Sequence, residues 1–135
     1  MGQIPLGLLV LAGFTADDTE QSIERIADKL VKLRIFEDAT GRMNASVVDV
    51  GGAILCVSQF TLHADLRRGN RPSFDAAAPG PVAEPLYRQF CAAIRHRGVP
   101  CEEGVFGAEM NVRLVNDGPV TIILDSADFE RPRRA

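Results

Sequence analysis

The sequence predicts an α/β fold: a single layered domain of mostly antiparallel β-sheets, with two main helices packed on one side. The chain has 135 residues, which is enough for one domain with one hydrophobic core but too few for two. Hydrophobic residues make up 46% of the chain and charged residues 24%, the balance of an ordinary folded globule. Strand-like apolar runs outnumber amphipathic helical patterns, and no repeat or linker divides them.

The first third of the chain predicts a buried strand followed by a helix. Residues 6–13 are apolar but lack the basic flank and the length of a signal peptide or membrane span, so we expect a strand. The Thr-Ala-Asp-Asp run at 15–18 resembles a capping box that opens a helix. Apolar side chains then recur every three or four residues and define one helical face: Ile23, Ile26, Ala27, Leu30 and Leu33.

The middle of the chain predicts a turn, two short strands and a long loop. The turn falls at residues 38–41, and the strands at 47–50 and 53–57 flank a Gly-Gly pair in a hairpin or bulge. Residues 62–81 are polar and rich in Gly, Pro and Arg. Long surface loops of this kind often carry function.

A second helix is predicted over residues 82–97. Its apolar face consists of Leu86, Phe90, Ala93 and Ile94. Pro85 is expected in the first turn, where proline is tolerated, and Gly98 stands where a C-terminal cap belongs.

The last part of the chain predicts three strands and a tail. The strands cover residues 101–106, 110–115 and 120–124, and a turn at 116–119 joins the last two. Residues 126–135 are charged and are expected to form a flexible C-terminal tail. The sequence therefore predicts one folded domain over residues 1–125.

Composition narrows the possible functions. Cys56, Cys91 and Cys101 form no C-x-x-C pair, so we expect core-filling thiols and a cytoplasmic protein without disulfides. The net charge of -3 argues against recruitment of long nucleic acids by the whole-molecule field. The two histidines, His63 and His96, have no thiol or carboxylate at ligand spacing, so no metal or other cofactor is expected.

Two short runs carry the functional signal. The first, Ser58-Gln59-Phe60-Thr61, ends a strongly apolar strand, where backbone N–H groups become free to face a ligand. The second run, Asn-Asp-Gly-Pro-Val-Thr at 116–121, joins two predicted strands and holds a Gly-Pro pair. Because the cis form of an X-Pro bond costs only about 0.5 to 1 kcal/mol, this pair predicts a rigid, unusual turn.

With both runs present and in order, the chain closely resembles bacterial D-aminoacyl-tRNA deacylases. The signatures of that family are a Ser-Gln-Phe-Thr strand end and an Asn-x-Gly-Pro-Val-Thr turn. The resemblance extends through residues 34–38, 41–44, 71–74 and 106–110, so it covers essentially residues 2–124. It implies the D-aminoacyl-tRNA deacylase-like fold.

The resemblance also implies a homodimer whose active site lies at the subunit interface. A cis Gly118-Pro119 turn of one subunit is expected to reach into the pocket of the other. Phe60 and Thr61 are the candidate catalytic residues, and the expected partner is the 3′ end of aminoacyl-tRNA, with no membrane involved. The candidate substrate-binding residues are Ser58, Gln59, Phe106, Ala108, Met110, Gly118 and Pro119.

One departure from the family pattern concerns the start of the chain. Family members usually begin with an additional strand that carries Gln-Arg-Val, before the point equivalent to Met1. The arginine of that strand is thought to brace the Gly-Pro turn. Without the strand, we expect an unpaired sheet edge and uncovered apolar surface.

The residues at the first motif suggest simple chemistry. The N–H groups of Phe60 and Thr61 are candidate oxyanion donors, and the Thr61 hydroxyl could attack or orient water. An internal threonine needs a base; His63 would share the side of Thr61 only if the segment were extended. We therefore favour substrate assistance by the ribose 2′-hydroxyl. Arg67, Arg68 and Arg71 are expected near tRNA phosphates.

The predicted activity is hydrolysis of the ester of D-aminoacyl-tRNA, and of glycyl-tRNA mischarged on tRNA-Ala, with release of free tRNA. A fixed wall of backbone at the cis Gly-Pro turn would leave no room for an L side chain, whereas glycine would pass. Two alternatives stay open. One is a non-catalytic or weakened nucleic-acid-binding relative, and the other is a trans Gly-Pro paralogue that edits some L-aminoacyl-tRNA.

Overall fold

The structure is a computed structural model, and it describes residues 2–130. In chain order the regular elements are β1 (Gly7–Ala12), α1 (Glu20–Lys32), β2 (Phe36–Glu37), β3 (Met43–Ala45), β4 (Ala53–Ser58), α2 (Gly80–His96) and β5 (Cys101–Glu103). Two 3₁₀ helices follow β4 and close the described chain, at Phe60–His63 and Ser126–Glu130. The α/β class is confirmed.

The main sheet is parallel, so the prediction of mostly antiparallel sheets is wrong for it. Its strand order is β1-β4-β5, with Val10 opposite Cys56 and Ile54 opposite Cys101. Each connection in this sheet includes a helix, which carries the chain back to the starting edge and makes the next strand parallel. Antiparallel pairing occurs between the short strands β2 and β3.

Helix α1 begins later than its sequence signal suggests. The N-cap is Thr19, whose side chain accepts a hydrogen bond from the Ser22 N–H while the Ser22 hydroxyl accepts one from the Thr19 N–H. The run at 15–18 forms a turn instead, closed by the Thr15 N–H donating to the Asp18 carboxylate at 2.9 Å. The predicted apolar face is confirmed in outline, since Ile23, Ala27 and Leu30 are buried.

Helix α2 starts two residues before its predicted beginning. Pro85 consequently lies beyond the first turn, inside the helix, and the expectation of a first-turn proline is wrong. The predicted C-terminal cap is confirmed because Gly98 adopts a positive φ of 84°. Phe90, Ala93 and Ile94 are buried and Leu86 packs on the core, which confirms the predicted face.

Both helices pack against each other and share one core with the main sheet. Tyr87, Ile54 and Ile94 are the largest of its fully buried side chains. The Tyr87 hydroxyl donates to the Cys56 carbonyl at 2.7 Å, which satisfies the buried phenol. The three cysteines are buried and free, so their prediction as core-filling thiols is confirmed.

The strand predicted at 47–50 is a turn. Ser46 and Asp49 bind each other twice, through the Ser46 N–H to the Asp49 carboxylate and the Asp49 N–H to the Ser46 hydroxyl. Such local bonds give the backbone an alternative to a sheet ladder. The bond from the Ser46 N–H makes the largest contribution to lowering the pKa of the Asp49 carboxyl, and the Ser46 side chain lowers it further.

The two strands predicted at 110–115 and 120–124 are absent from the described chain, and the third predicted strand shortens to β5. Phe106 and Leu124 pack against the core. Between them the chain runs across the surface without a ladder. Its alternation suits a strand, but a strand also requires a neighbour with which to pair.

The charged tail begins with the 3₁₀ helix Ser126–Glu130, next to α1. The Arg25 guanidinium lies 4.5 Å from the ring centroid of Phe129. The rest of the predicted flexible tail, residues 131–135, lies outside the described residues. Among the helices that the structure describes, none combines the length and apolar character needed to cross a bilayer.

Candidate active site

The first motif lies where β4 ends. The Gln59 N–H donates to the Ala12 carbonyl at 2.8 Å, and the backbone then turns into a 3₁₀ helix. The Leu62 N–H bonds back to Gln59, whereas the N–H groups of Phe60 and Thr61 have no hydrogen-bond partner among residues 2–130. Two adjacent free donors therefore stand at this strand end, as the sequence predicts.

The Thr61 side chain is exposed and held by its neighbour. The Gln59 side-chain amide donates to the Thr61 hydroxyl oxygen at 2.7 Å. An amide donor can orient a hydroxyl but cannot remove its proton. Within the described chain, no carboxylate or imidazole bonds to this hydroxyl, so a base for Thr61 is missing there.

His63 does not supply that base. The segment is a 3₁₀ helix rather than an extended chain, so the expectation that His63 shares the side of Thr61 is wrong. The imidazole packs on Gly13 instead: a Cβ on that glycine would lie 3.1 Å from His63 Cδ2. His63 Nε2 is buried and has no partner within the described residues.

The second motif forms a braced, exposed turn. The Asn116 side-chain oxygen accepts from the Val120 N–H at 3.0 Å, and its nitrogen donates to the Thr121 hydroxyl at 3.2 Å. Gly118 has a φ of 136°, a region that disfavours side chains. The Gly118-Pro119 peptide bond is cis, the isomer that the resemblance implies.

The remaining candidate residues fall into different surroundings. Phe106 is half-buried, with its ring centroid 5.7 Å from that of Tyr87. Ala108 is exposed in a turn, where its N–H donates to the Val105 carbonyl at 3.1 Å. Met110 lies over Gly104, since a Cβ at that glycine would be 3.2 Å from the methionine sulfur.

The described chain does not join the two motifs. Ser58, Gln59, Phe60 and Thr61 are contiguous, but no hydrogen bond or ring contact among residues 2–130 links them to the turn at 116–121. Two surface clefts of about 530 and 470 Å³ lie along α1 and its C-terminal end, and neither includes a candidate site residue. No group of three potential metal ligands converges within the described residues.

Two contacts near the site have no clear signal in the sequence. The rings of Phe60 and Phe74 meet edge to face, with centroids 5.1 Å apart. Asp65 and Ser73 form an antiparallel bridge through both backbone hydrogen bonds. Both contacts join residues across the arginine-rich loop, and no apolar periodicity in that loop indicates them.

The sequence profile of one family, D-Tyr-tRNA(Tyr) deacylase, matches residues 1–125. The chain belongs to the D-Tyr-tRNA(Tyr) deacylase family. A D-aminoacyl-tRNA deacylase of Chloroflexus aurantiacus is 54% identical over 135 residues, which cover 100% of this chain and 84% of that protein. One of Koribacter versatilis is 61% identical over 125 residues, 93% of this chain and 84% of its own length.

Solved structures agree with this family assignment. The structure of a c-Myc DNA unwinding element binding protein has a TM-score of 0.85 and 42% identity, and covers 90% of this chain and 83% of that one. A probable eukaryotic D-amino acid tRNA deacylase has a TM-score of 0.67 at 21% identity, which shows the fold alone. The deacylase family and its fold are therefore established for this chain.

Proposed function

We propose that this protein hydrolyses the ester bond of D-aminoacyl-tRNA, and of glycyl-tRNA mischarged on tRNA-Ala, with release of free tRNA. Family membership over residues 1–125 supports the proposal, as do relatives at 54% and 61% identity that are named D-aminoacyl-tRNA deacylases. The observation that carries it is the pair of N–H groups at Phe60 and Thr61, which have no hydrogen-bond partner among the residues that the structure describes.

These two donors suit the oxyanion that develops during ester hydrolysis. When water attacks the carbonyl carbon, negative charge collects on the former carbonyl oxygen, and fixed N–H donors stabilise it without reorganisation. The ester C–O bond then breaks, and the ribose oxygen leaves with a proton derived from the water. Phe60 and Thr61 are therefore the proposed catalytic residues, chiefly through their backbone.

The proton-transfer step is assigned to the substrate. Since Gln59 can only donate to the Thr61 hydroxyl, the neighbouring ribose 2′-hydroxyl is the better candidate to orient water. Ser58 and Gln59 would line the substrate pocket. Phe106, Ala108 and Met110 would contact the terminal adenosine.

A homodimer is part of the proposal because one chain leaves much surface uncovered. The chain exposes 9949 Å², whereas a compact monomer of its mass exposes about 6,900 Å². That excess is larger than the roughly 800 Å² per partner of a standard interface. Much of the exposed apolar surface lies on the C-terminal segment, at Val105, Met110, Val112, Leu114, Val115, Ile122 and Ile123.

In the proposed dimer, the turn at 116–121 of one subunit enters the site of the other. Gly118 and Pro119 are exposed, and Asn116 fixes the backbone around them. A rigid backbone wall would exclude the Cβ of an L-amino acid, let a D side chain point outward and admit glycine. The meeting of the two motifs across the dimer interface would also explain why they are not joined within the described part of one chain.

The proposal also includes the domain organisation and the cellular location. Residues 1–125 form the deacylase domain, and the remainder is an accessory tail. Since tRNA is the substrate and the three described cysteines are free thiols, we propose a cytoplasmic location.

The decisive experiment compares hydrolysis of D-Tyr-, L-Tyr- and Gly-tRNA by the same protein under single-turnover conditions. We expect rapid release from D-Tyr-tRNA, measurable release from Gly-tRNA and background release from L-Tyr-tRNA. Resistance of Gly-tRNA alongside cleavage of D-Tyr-tRNA would contradict steric exclusion. Equal cleavage of the two tyrosyl substrates would reject a chiral filter.

A DNA-binding role is the second candidate, because the structural neighbour with 42% identity is named for binding a DNA unwinding element. The net charge of -3 disfavours it. A salt titration of filter binding separates the two functions. Affinity for bare DNA that falls steeply with salt, combined with no hydrolysis of any aminoacyl-tRNA, would favour the DNA-binding role.

A further inference from the structure

The arginine-rich loop after the candidate site is a closed hairpin, which we call the basic hairpin and which spans residues 65–73. The Asp65 N–H donates to the Ser73 carbonyl at 2.7 Å, and the Ser73 N–H returns a bond of 3.0 Å. Gly69 has a φ of 59° near the tip, where the chain reverses. Such a hairpin presents its side chains from a defined base rather than from a disordered loop.

The base of the basic hairpin adjoins the candidate oxyanion donors. On one side, Asp65 follows the 3₁₀ helix that contains Thr61 by only two residues. On the other side, Phe74 packs against Phe60 with ring centroids 5.1 Å apart. Gly69 lies four positions after Asp65, so the hairpin can project roughly 13 Å from this base. Successive phosphates of one strand in a DNA duplex are about 3.4 Å apart along the axis, so a reach of this size exceeds the length of one nucleotide.

The three arginines of the hairpin have different roles. Arg67 is bound to Asp65, with Nε at 2.9 Å from Oδ1 and Nη2 at 2.8 Å from Oδ2. This pairing lowers the pKa of the Asp65 carboxyl and braces the turn. The side chains of Arg68 and Arg71 are exposed and, within residues 2–130, have no hydrogen bond or ion pair.

The arginines of the second helix region are used differently. On and just after α2, Arg88, Arg95 and Arg97 each pair with a carboxylate of the same chain. Among the residues that the structure describes, Arg68 and Arg71 are thus two uncompensated guanidinium groups beside the candidate site of a protein with a net charge of -3. Guanidinium groups bind phosphate oxygens in a bidentate manner, and this contact is independent of base sequence.

We propose that Arg68 and Arg71 bind backbone phosphates of the tRNA acceptor end, while Arg67 holds the hairpin that carries them. This inference rests on the proposed deacylase function and assigns a substrate-binding surface to it. It replaces the expectation that all three arginines contact phosphate. Such contacts hold the tRNA without touching the ester, so they lower KM rather than raise the rate of the chemical step.

The test compares a double variant, Arg68→Glu with Arg71→Glu, on two substrates: D-Tyr-tRNA and D-tyrosyl-adenosine, which has no phosphate backbone. For D-Tyr-tRNA we expect KM to rise about tenfold with kcat largely kept, and the slope of log affinity against log salt to fall by about 2. For D-tyrosyl-adenosine we expect unchanged kcat/KM. Filter binding of uncharged tRNA gives an independent measure of affinity.

The matched control carries the same change of charge elsewhere: Lys29→Glu on α1 with Arg42→Glu in the β2–β3 turn, both at exposed positions. The proposal is overturned if this control weakens tRNA binding as much as the hairpin variant does. It is also overturned if the hairpin variant keeps the wild-type KM and salt slope, or loses activity equally on both substrates. Failure of the deacylase function itself would look different, because wild-type protein would then cleave neither substrate.

Discussion

Strand β4 and the segment 107–123 have similar apolar, strand-like sequences but opposite surroundings. In β4, Ile54 and Cys56 are completely buried between β1 and β5. In the segment, Val115 and Ile123 are each 90% exposed and no ladder forms. The comparison teaches that an apolar, strand-like sequence defines which segments can pair, whereas a strand appears only where a neighbouring backbone is available.

The two regions should therefore respond differently to mutation. Burial in β4 and α2 comes from contacts within one chain, so its loss weakens folding directly. The exposed segment gains burial only through a partner, which we propose to be a second copy. Changes there should act on assembly and activity, in a way that depends on protein concentration.

Truncation of a buried side chain in the core should have the largest effect, which is on the free energy of unfolding. Ile94→Ala removes a fully buried side chain, and we expect the free energy of unfolding to fall by about 2 to 5 kcal/mol. Val82→Ala is the control on the same helix, at an exposed position, and should change it by less than about 0.5 kcal/mol. Urea unfolding measures the free energy of unfolding of both variants. An equal decrease in the two variants would contradict the distinction between the buried and exposed faces of the helix.

A charge introduced into the exposed segment should have the second-largest effect, which is on dimer assembly. Ile123→Glu would place an unpaired carboxylate in the proposed interface, a cost of about 3 kcal/mol or more, which weakens association about a hundredfold. Analytical ultracentrifugation and deacylation assays should show a monomer with little activity. Val48→Glu, exposed outside the segment, is the control. An active Ile123→Glu dimer would refute the assigned interface.

Distortion of the braced turn should impair selection. A Cβ at Gly118 would lie 2.9 Å from Val120 Cγ2, and φ there is 136°. The backbone of Gly118→Ala must therefore shift, and we expect the preference for D-Tyr- over L-Tyr-tRNA to fall at least about tenfold. Gly80→Ala, which has open space, should keep full preference. A Gly118→Ala enzyme with intact preference would remove this turn from selection.

Loss of the Thr61 hydroxyl should have the smallest effect. Because the proposed oxyanion donors are backbone N–H groups, we expect Thr61→Ala to lower kcat by less than about tenfold. Thr61→Ser keeps the hydroxyl that accepts from Gln59 and should match the wild type. Complete loss of single-turnover hydrolysis in Thr61→Ala, with tRNA affinity unchanged, would instead identify Thr61 as the nucleophile.

Much of the fold follows from local patterns. The faces of α1 and α2, the strands β1 and β4 and the glycine after α2 are all visible as periodicity or cap chemistry. Errors occur where nearby side chains redirect the backbone. The predicted strand at 47–50 fails because Ser46 and Asp49 bind each other's backbone, a choice that hydrophobicity does not reveal.

The candidate site shows the same limit. The Ser58-Gln59-Phe60-Thr61 run indicates a strand end with free N–H groups, and the described chain has them. It does not indicate that the backbone then coils into a 3₁₀ helix and turns His63 onto Gly13. Nor does it show that Phe74 packs on Phe60, because that contact joins residues across a loop without periodic pattern.

By itself the sequence determined the α/β class, the helical faces, the family and the two motifs, since each depends on residues close together in the chain. Only the tertiary structure decided that the main sheet is parallel and that the segment 107–123 is uncovered. It also decided that Arg67 is paired, whereas Arg68 and Arg71 have no partner within residues 2–130. The physical reason is that direction of pairing, charge compensation and burial are properties of distant segments brought together, and local spacing does not encode them.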